Sequence, residues 1–405
     1  MKKILIKIFI ISLLVILFVS FSYSYRALNI DSLAFVVSIG IDVSETKNIK
    51  VTFQFVNPPS TNQGSNSDTK IFQDTVDTDS IPNAINIMNS YLAKQIDLSH
   101  CRNIVFSEEV AKNGISEYIY TLINNVQVRP TSNLVVTTCS ANEYIKNSIP
   151  SLEASITKFY DIFPSSGFYT GYVVDSTIGN FYNSLVCDNC DPYAILGSVS
   201  SSSLNSKNSN NSTDFNIKSG ESSISGVRTT ENIGIAAFKH DKLIGELNAI
   251  ETVCFNILQN KLKSFLVSVP NPTDSTSNID LMLTPKKPTK ISVNIVNNSP
   301  LVKVSCNFSA KIYSIDENSN YLDPAVITSI SNSCSQYLED SITKYLYKTS
   351  LDFKSDISDI GQYSLSNFIT NEEFKNFNWE SSFINSGFDV NVKTSIDSGF
   401  LLNET

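Results

Sequence analysis

The chain has 405 residues, enough at roughly 150 residues per domain for two or three folded units. Hydrophobic residues make up 41% and charged residues only 17%, which excludes a disordered chain and leaves a neutral surface rich in serine and asparagine. Thirty basic against 39 acidic residues give a net charge of −9, and Lys2, Lys3 and Lys7 all precede the first acid, so the remaining body is more acidic still. It has no excess of cations with which to displace phosphate counterions, which disfavours general nucleic-acid binding. His100 and His240 are the only histidines. A zinc hydrolase built on clustered histidines is therefore disfavoured, and nothing in the pattern implies a metal or a cofactor.

The first seven residues form a basic n-region, and Ile8 to Phe21 is apolar except for Ser12 and Ser20. That is the layout of a secretory signal, yet the run counted from Ile4 is also just long enough to remain in a bilayer as a helix. Residues 1–25 are read as a signal or membrane anchor, with cleavage left open. The lysines before the run place the N-terminus inside, so the body from Arg26 onward faces outward. The first cysteine is Cys101, so no thiol follows the apolar run to take a lipid.

Leu33 to Ile41 reads as a buried strand, and Lys50 to Val56 alternates as a half-buried one. Ser80, with Pro82 in the first turn, caps an amphipathic helix carrying Ile81, Ile85, Met88 and Leu92. A strand follows at Asn103 to Ser107, then helical character from Glu108 to Ile123 broken at Gly114, then a β run at Asn133 to Thr138. Residues 198–230 hold 12 serines and five asparagines with few large apolar side chains, and are read as a flexible insertion or linker.

Two alternating runs around His240-Asp241 suggest a hairpin, followed by an apolar helix near Glu251 to Lys263. Ile291 to Ile295 and Val302 to Ile312 form an antiparallel pair about a turn at Asn297 to Pro300. Asp323 and Pro324 start a long helix with Val326, Ile330, Cys334, Leu338, Ile342 and Leu346 along one stripe, and Phe388 to Val392 closes as a strand. The expected fold is α+β and multidomain, with mixed or antiparallel sheets and packed helices. Its expected divisions are an N-terminal domain at 26–197, the linker at 198–230, and a C-terminal region at 231–405, with two lobes, 231–275 and 276–405, as an open subdivision.

Several stretches, in order, resemble the Ger(x)C family, the C subunits of bacterial spore germinant receptors. They are Leu33 to Asp42 ending in Gly40-Ile41-Asp42, Val56-Asn57-Pro58, Asp97 to Ala111 with its Leu98-Ser99-His100 turn and Glu108-Glu109 helix start, and Val128 to Thr131. Gly234 to Gly245, Ile250-Glu251-Thr252, Ser355-Asp356-Ile357, Trp379 and Asp389 to Val392 continue the series. One departure is Ser24-Tyr25, where the family carries a lipobox cysteine and an aromatic. The resemblance implies a non-enzymatic receptor subunit on the outer face of the spore inner membrane. It also implies A-type and B-type multi-spanning partner subunits, and Ser99, His100, Glu108, Arg129 and Pro130 as family-motif or partner-contact positions.

Each chemical candidate has a plainer reading. Adjacent residues point to opposite faces, so His100 and Cys101 make a poor nucleophile-base pair. Cys187-Asp188-Asn189-Cys190 has redox spacing without a βαβ context, which favours a local disulfide or two free thiols. Glu108 and Glu109 in a first turn are accounted for by the helix dipole. Arg129-Pro130 suits either an exposed contact turn or internal hydrogen bonding. The rival functions are an extracytoplasmic thiol oxidoreductase using Cys187 and Cys190, and a stand-alone solute-binding protein.

Overall fold

The computed structural model describes residues 2–22, 30–56, 71–153, 155–200, 216–222, 224, 226–272, 277–314, 321 and 323–396. Helix α1 (Lys2–Ser22) exposes its apolar side chains from Ile4 to Phe18 all round. Among the described residues no helix is long and apolar enough to cross a membrane. Ser24 and Tyr25 lie outside the described residues, as does 201–215 of the Ser/Asn-rich stretch.

The first part of the chain runs β1 (Leu33–Val43), β2 (Ile49–Val56), β3 (Ile71–Thr78), α2 (Ile81–Leu92), β4 (Gln95–Asp97) and β5 (Asn103–Ser107). It continues through α3 (Glu108–Asn113), α4 (Ser116–Ile123), β6 (Asn133–Thr137), α5 (Ala141–Asn147), α6 (Ile156–Ile162), α7 (Gly167–Thr170), α8 (Ile178–Val186) and β7 (Tyr193–Val199). With β8 (Thr230–Lys239) and β9 (Lys242–Leu247) these strands form one nine-stranded sheet, ordered β3-β2-β1-β5-β6-β7-β8-β9 with β4 beside β1. Its centre, β1-β5-β6-β7, is parallel, and both flanks are antiparallel.

The rest comprises α9 (Ala249–Leu258), β10 (Phe265–Pro270), β11 (Asn278–Val296), β12 (Ser299–Ile312), α10 (Pro324–Tyr347), α11 (Asn371–Phe377), α12 (Trp379–Phe383) and β13 (Gly387–Ile396). A four-stranded sheet, β10-β11-β12-β13, is antiparallel except for β12-β13, which α10 makes possible by carrying the chain back across the sheet. The fold is α+β with mixed sheets, as the patterning implied.

Local chemistry accounts for the element ends. Ser80 accepts from Asn83 N at 3.3 Å and starts α2, while Asp323 accepts from Ala325 N at 2.8 Å ahead of Pro324. Asn297 and Asn298 both take positive φ, 50° and 63°, which asparagine tolerates, so β11 and β12 join through a two-residue turn. The α10 stripe is as read from the sequence: Ile330, Cys334, Leu338, Ile342 and Leu346 are buried.

Strand β2 departs from its half-buried pattern, because Thr52 and Gln54 on its polar face are also buried. Helices α5 and α6 cover that face and satisfy it: Gln54 Nε2 donates to Ile145 O at 3.2 Å, and Tyr160 Oη donates to Gln54 Oε1 at 2.9 Å. One face of the large sheet packs Phe53, Phe106, Ile119 and Phe181 under α2, α3, α4 and α8. The other packs Val37, Val105 and Tyr144 in a core that continues without a break into Leu281, Val302 and Leu338 of the small sheet and α10. Helix α9 sits in that shared core, buried throughout except at Glu251.

Strands β7 and β8 pair directly, Ala194 opposite Ala236, so 198–230 connects two neighbours in one sheet. Its described residues 216–222 are packed rather than free: Ser219 is buried and its Oγ donates to Leu196 O at 2.8 Å. Gly220 N donates to Glu231 Oε2 at 2.9 Å. The 275/276 border between expected lobes falls between β10 and β11, which pair from Phe265 opposite Leu283 to Pro270 opposite Asn278.

Candidate functional site

The parallel centre of the large sheet has two edges, and the motif residues divide between them. At the amino edge, where β1 enters, Ser99 N donates to Asp97 Oδ1 at 2.8 Å and Ser99 Oγ donates to the same oxygen. Ser99 Oγ also lies 3.0 Å from His100 Nδ1. His100 is exposed, with its ring edge-on to Phe35 at 5.1 Å between centroids. The neighbouring turn closes by Ser132 N donating to Arg129 O at 3.0 Å, and Arg129 and Pro130 are exposed.

These two turns are stitched to each other. Ser132 Oγ donates to Cys101 O at 2.8 Å, Asn133 N donates to Arg102 O at 2.8 Å, and Leu98 N donates to Gln127 Oε1 at 3.1 Å. The fold therefore unites Ser99, His100, Arg129 and Pro130, which are remote in sequence. Glu108 is not with them; it starts α3 at the opposite edge and pairs with Lys112. Asp97, Gln127 and Ser132 do the stitching, and a short polar side chain in a turn gives no periodic signal by which sequence could single it out.

The amino edge also meets the C-terminal part. Asp191 precedes β7 and accepts from His240 N and Asp356 N, both at 3.2 Å. Asp356 in turn accepts from Ile360 N at 3.0 Å, Gly361 N at 2.7 Å and Trp379 Nε1 at 2.9 Å. Burial still pushes its carboxyl up to about 6, against the pull of those donors. Asp359, beside it, is raised to about 7 by burial and by the Asp356 and Asp191 charges, and its Oδ1 is buried with no hydrogen-bond partner among the described residues.

Cys187 and Cys190 form a disulfide next to this junction, with Asp188 between them 2.8 Å from Lys375 Nζ. His100 is exposed whereas Cys101 is fully buried, and burial pushes the Cys101 thiol up to about 12. Cys306 and Cys334 are likewise raised to about 11 by burial, so none of these three is a ready nucleophile.

The carboxyl edge is built differently. Helix α3 follows β5 onto one face of the sheet and α5 follows β6 onto the other, and adjacent connections leaving to opposite faces open a crevice between them. The cleft there has a volume of about 780 Å³ and is lined by Asp42, Lys50, Asp77, Ser107, Glu108, Glu109, Thr138, Cys139 and Asn142, among others. Asp42 accepts from Ala141 N at 2.7 Å and Asn142 N at 3.0 Å, capping α5. Burial raises its pKa, and those two N–H groups partly offset the shift.

Gly40 explains the rest of the Gly-Ile-Asp motif: a Cβ there would stand 2.8 Å from Ile145 Cδ1 and 3.1 Å from Ala141 Cβ, so glycine lets α5 rest closely on β1 and a larger residue would press on it. Ser107 occupies the cap position of α3 without capping it. Its buried Oγ lies beside Asp42 and favours the ionised carboxylate, but falls short of hydrogen-bond geometry with any partner among the described residues. Among the described residues no group of three or more His, Cys, Asp or Glu side chains is set to hold a metal ion.

A parallel-centred sheet sharing one core with a four-stranded sheet, with a stitched pair of turns at one edge and a cleft at the other, defines a class of two-part α+β protein. Two family signatures identify it more closely. The spore germination protein N-terminal domain matches residues 26–199, and the spore germination B3/GerAC-like C-terminal domain matches residues 233–399. The chain belongs to the Ger(x)C family of spore germination proteins. The crystal structure of the GerBC protein shares its fold, with a TM-score of 0.52 at 16% identity over 88% of this chain and 96% of that one. No protein with a curated description matches the sequence significantly.

Proposed function

We propose that the chain is the C subunit of a nutrient germinant receptor, held on the outer face of the spore inner membrane through its apolar N-terminal segment, residues 1–25. It works there, without catalysis, beside A-type and B-type membrane subunits. The observation that carries this reading is the match of both family domains in order along one chain. Helix α1 supports the location: the large apolar side chains described between Ile4 and Phe18 are each more than half exposed. The stitched turns at the edge where β1 enters suit a contact with membrane-embedded partners, with Ser99, His100, Arg129 and Pro130 as its residues. Glu108 belongs to the opposite edge and is proposed only as a family-motif position.

Deleting the gene in a strain without redundant receptors tests the proposal. The expected result is loss of the response to one class of nutrient, lowered abundance of the partner subunits, and normal spore formation. Unchanged nutrient responses together with unchanged partner levels overturn it. Anchoring has its own test: the full chain should sediment with membranes without incorporating radiolabelled fatty acid.

A further inference from the structure

We propose that the cleft at the carboxyl ends of β1, β5 and β6 binds a small polar molecule through an ammonium group. Its location follows from topology, since adjacent parallel strands send their helices to opposite faces there and the sheet itself forms the floor. Its volume of about 780 Å³ suits a small molecule with its hydration.

The lining selects the charge of the occupant. In many α/β sheets such a crevice takes a phosphate on free helix N–H groups. Here the Asp42 carboxylate already accepts from the first two N–H groups of α5, at 2.7 and 3.0 Å, and Glu108 and Glu109 stand in the first turn of α3. Anion positions are thus filled by the protein's own carboxylates. Asp77, whose Oδ1 accepts from Ser44 Oγ at 2.6 Å and whose other oxygen has no side-chain donor among the described residues, faces the same space with Glu109, and Lys50 is the base among the described lining residues. An anionic ligand would meet repulsion, whereas an ammonium would find acceptors on more than one side.

Two observations separate this from a merely solvated acidic surface. Ser107 is only 7% exposed, lines the cleft beside Asp42, sits at a cap position, and still has no partner in hydrogen-bond geometry for its Oγ among the described residues. A buried hydroxyl left unsatisfied is costly unless a ligand or water completes it. Glu109, in contrast with Glu108 and its Lys112, makes no ion pair among the described residues, although it borders the cleft.

The test is calorimetric titration of the full chain in detergent micelles with ethanolamine, ethylenediamine and putrescine at constant ionic strength. Saturable binding at one site is expected for at least one amine. Glu109→Gln and Asp77→Asn should each weaken it by roughly tenfold, the worth of one charge-assisted hydrogen bond. Glu372→Gln, an exposed acid elsewhere, should leave it unchanged. Ser107→Ala should weaken binding while leaving the unfolding midpoint of the ligand-free chain in place or raising it, whereas loss of a structurally hydrogen-bonded hydroxyl would lower it. Absence of saturable binding by all three amines overturns the proposal, as does equal binding by wild type and Glu109→Gln, or tighter binding of inorganic phosphate. None of these results bears on the receptor assignment, which the gene deletion decides separately.

Discussion

The two edges of the large sheet both gather carboxylates and use them in opposite ways. At the amino edge Asp191 and Asp356 are buried, and their oxygens accept from backbone N–H groups and from Trp379, joining the two parts of the chain. At the carboxyl edge Asp42 accepts from the N–H groups of a helix end, while Asp77, held on one oxygen by Ser44, and Glu109, in the first turn of α3, border an open cleft. Acids enclosed by donors become structure, and acids left facing water remain available to something that binds.

Substitutions that respect this contrast should separate the edges by stability. The largest loss is expected for Trp379→Ala, about 3–5 kcal/mol, because a fully buried indole leaves a cavity and Asp356 loses a donor. Urea unfolding checks it, and a loss below about 1 kcal/mol would contradict a packed junction. Gly40→Val should cost about 1–3 kcal/mol by driving α5 off β1, visible in the same measurement. Asp42→Ala should cost about 1–2 kcal/mol through the two uncapped N–H groups of α5, with Asp42→Asn retaining part of the loss.

The junction should also respond to pH. Folded Asp356 and Asp359 titrate near 6 and 7, above the ordinary 3.8, so the folded state holds protons that the unfolded state has released. Their contribution to stability is full below about pH 4 and is lost as pH rises toward 7. The unfolding midpoint should therefore shift downward across that window, and Asp359→Asn should flatten the slope. An unchanged slope in that variant assigns the effect elsewhere. The smallest change is expected for Glu109→Gln, within about 0.5 kcal/mol, since it holds nothing together.

Periodicity made several elements legible. The α10 stripe, the Ser80 and Asp323 caps, the β8-β9 hairpin and the β11-β12 turn all carry their signal within a few consecutive residues. The patterning gave no sign of β3, β4, β7, β10 or the helices between Ala141 and Val186. Strand β3 reads Ile-Phe-Gln-Asp-Thr-Val-Asp-Thr, with carboxylates where an edge strand keeps itself from pairing further, and β4 has only three residues.

The site was legible in parts only. The motif turns at 97–102 and 128–131 were visible separately, but their union depends on β1, β5 and β6 lying side by side. The cleft was not visible at all, because Asp42, Asp77 and Glu109 are linked by topology rather than spacing.

The pairing of β7 with β8 has a consequence for how this chain can be divided. A peptide bond cleaved between 201 and 215 separates the polypeptide into two pieces, yet hydrogen bonds between the strands and the core around α9 still run from one piece to the other. The halves matched by the two family domains are accordingly fragments that complement each other, each carrying an open strand edge that the other completes, and a nicked molecule would migrate as one body until denatured.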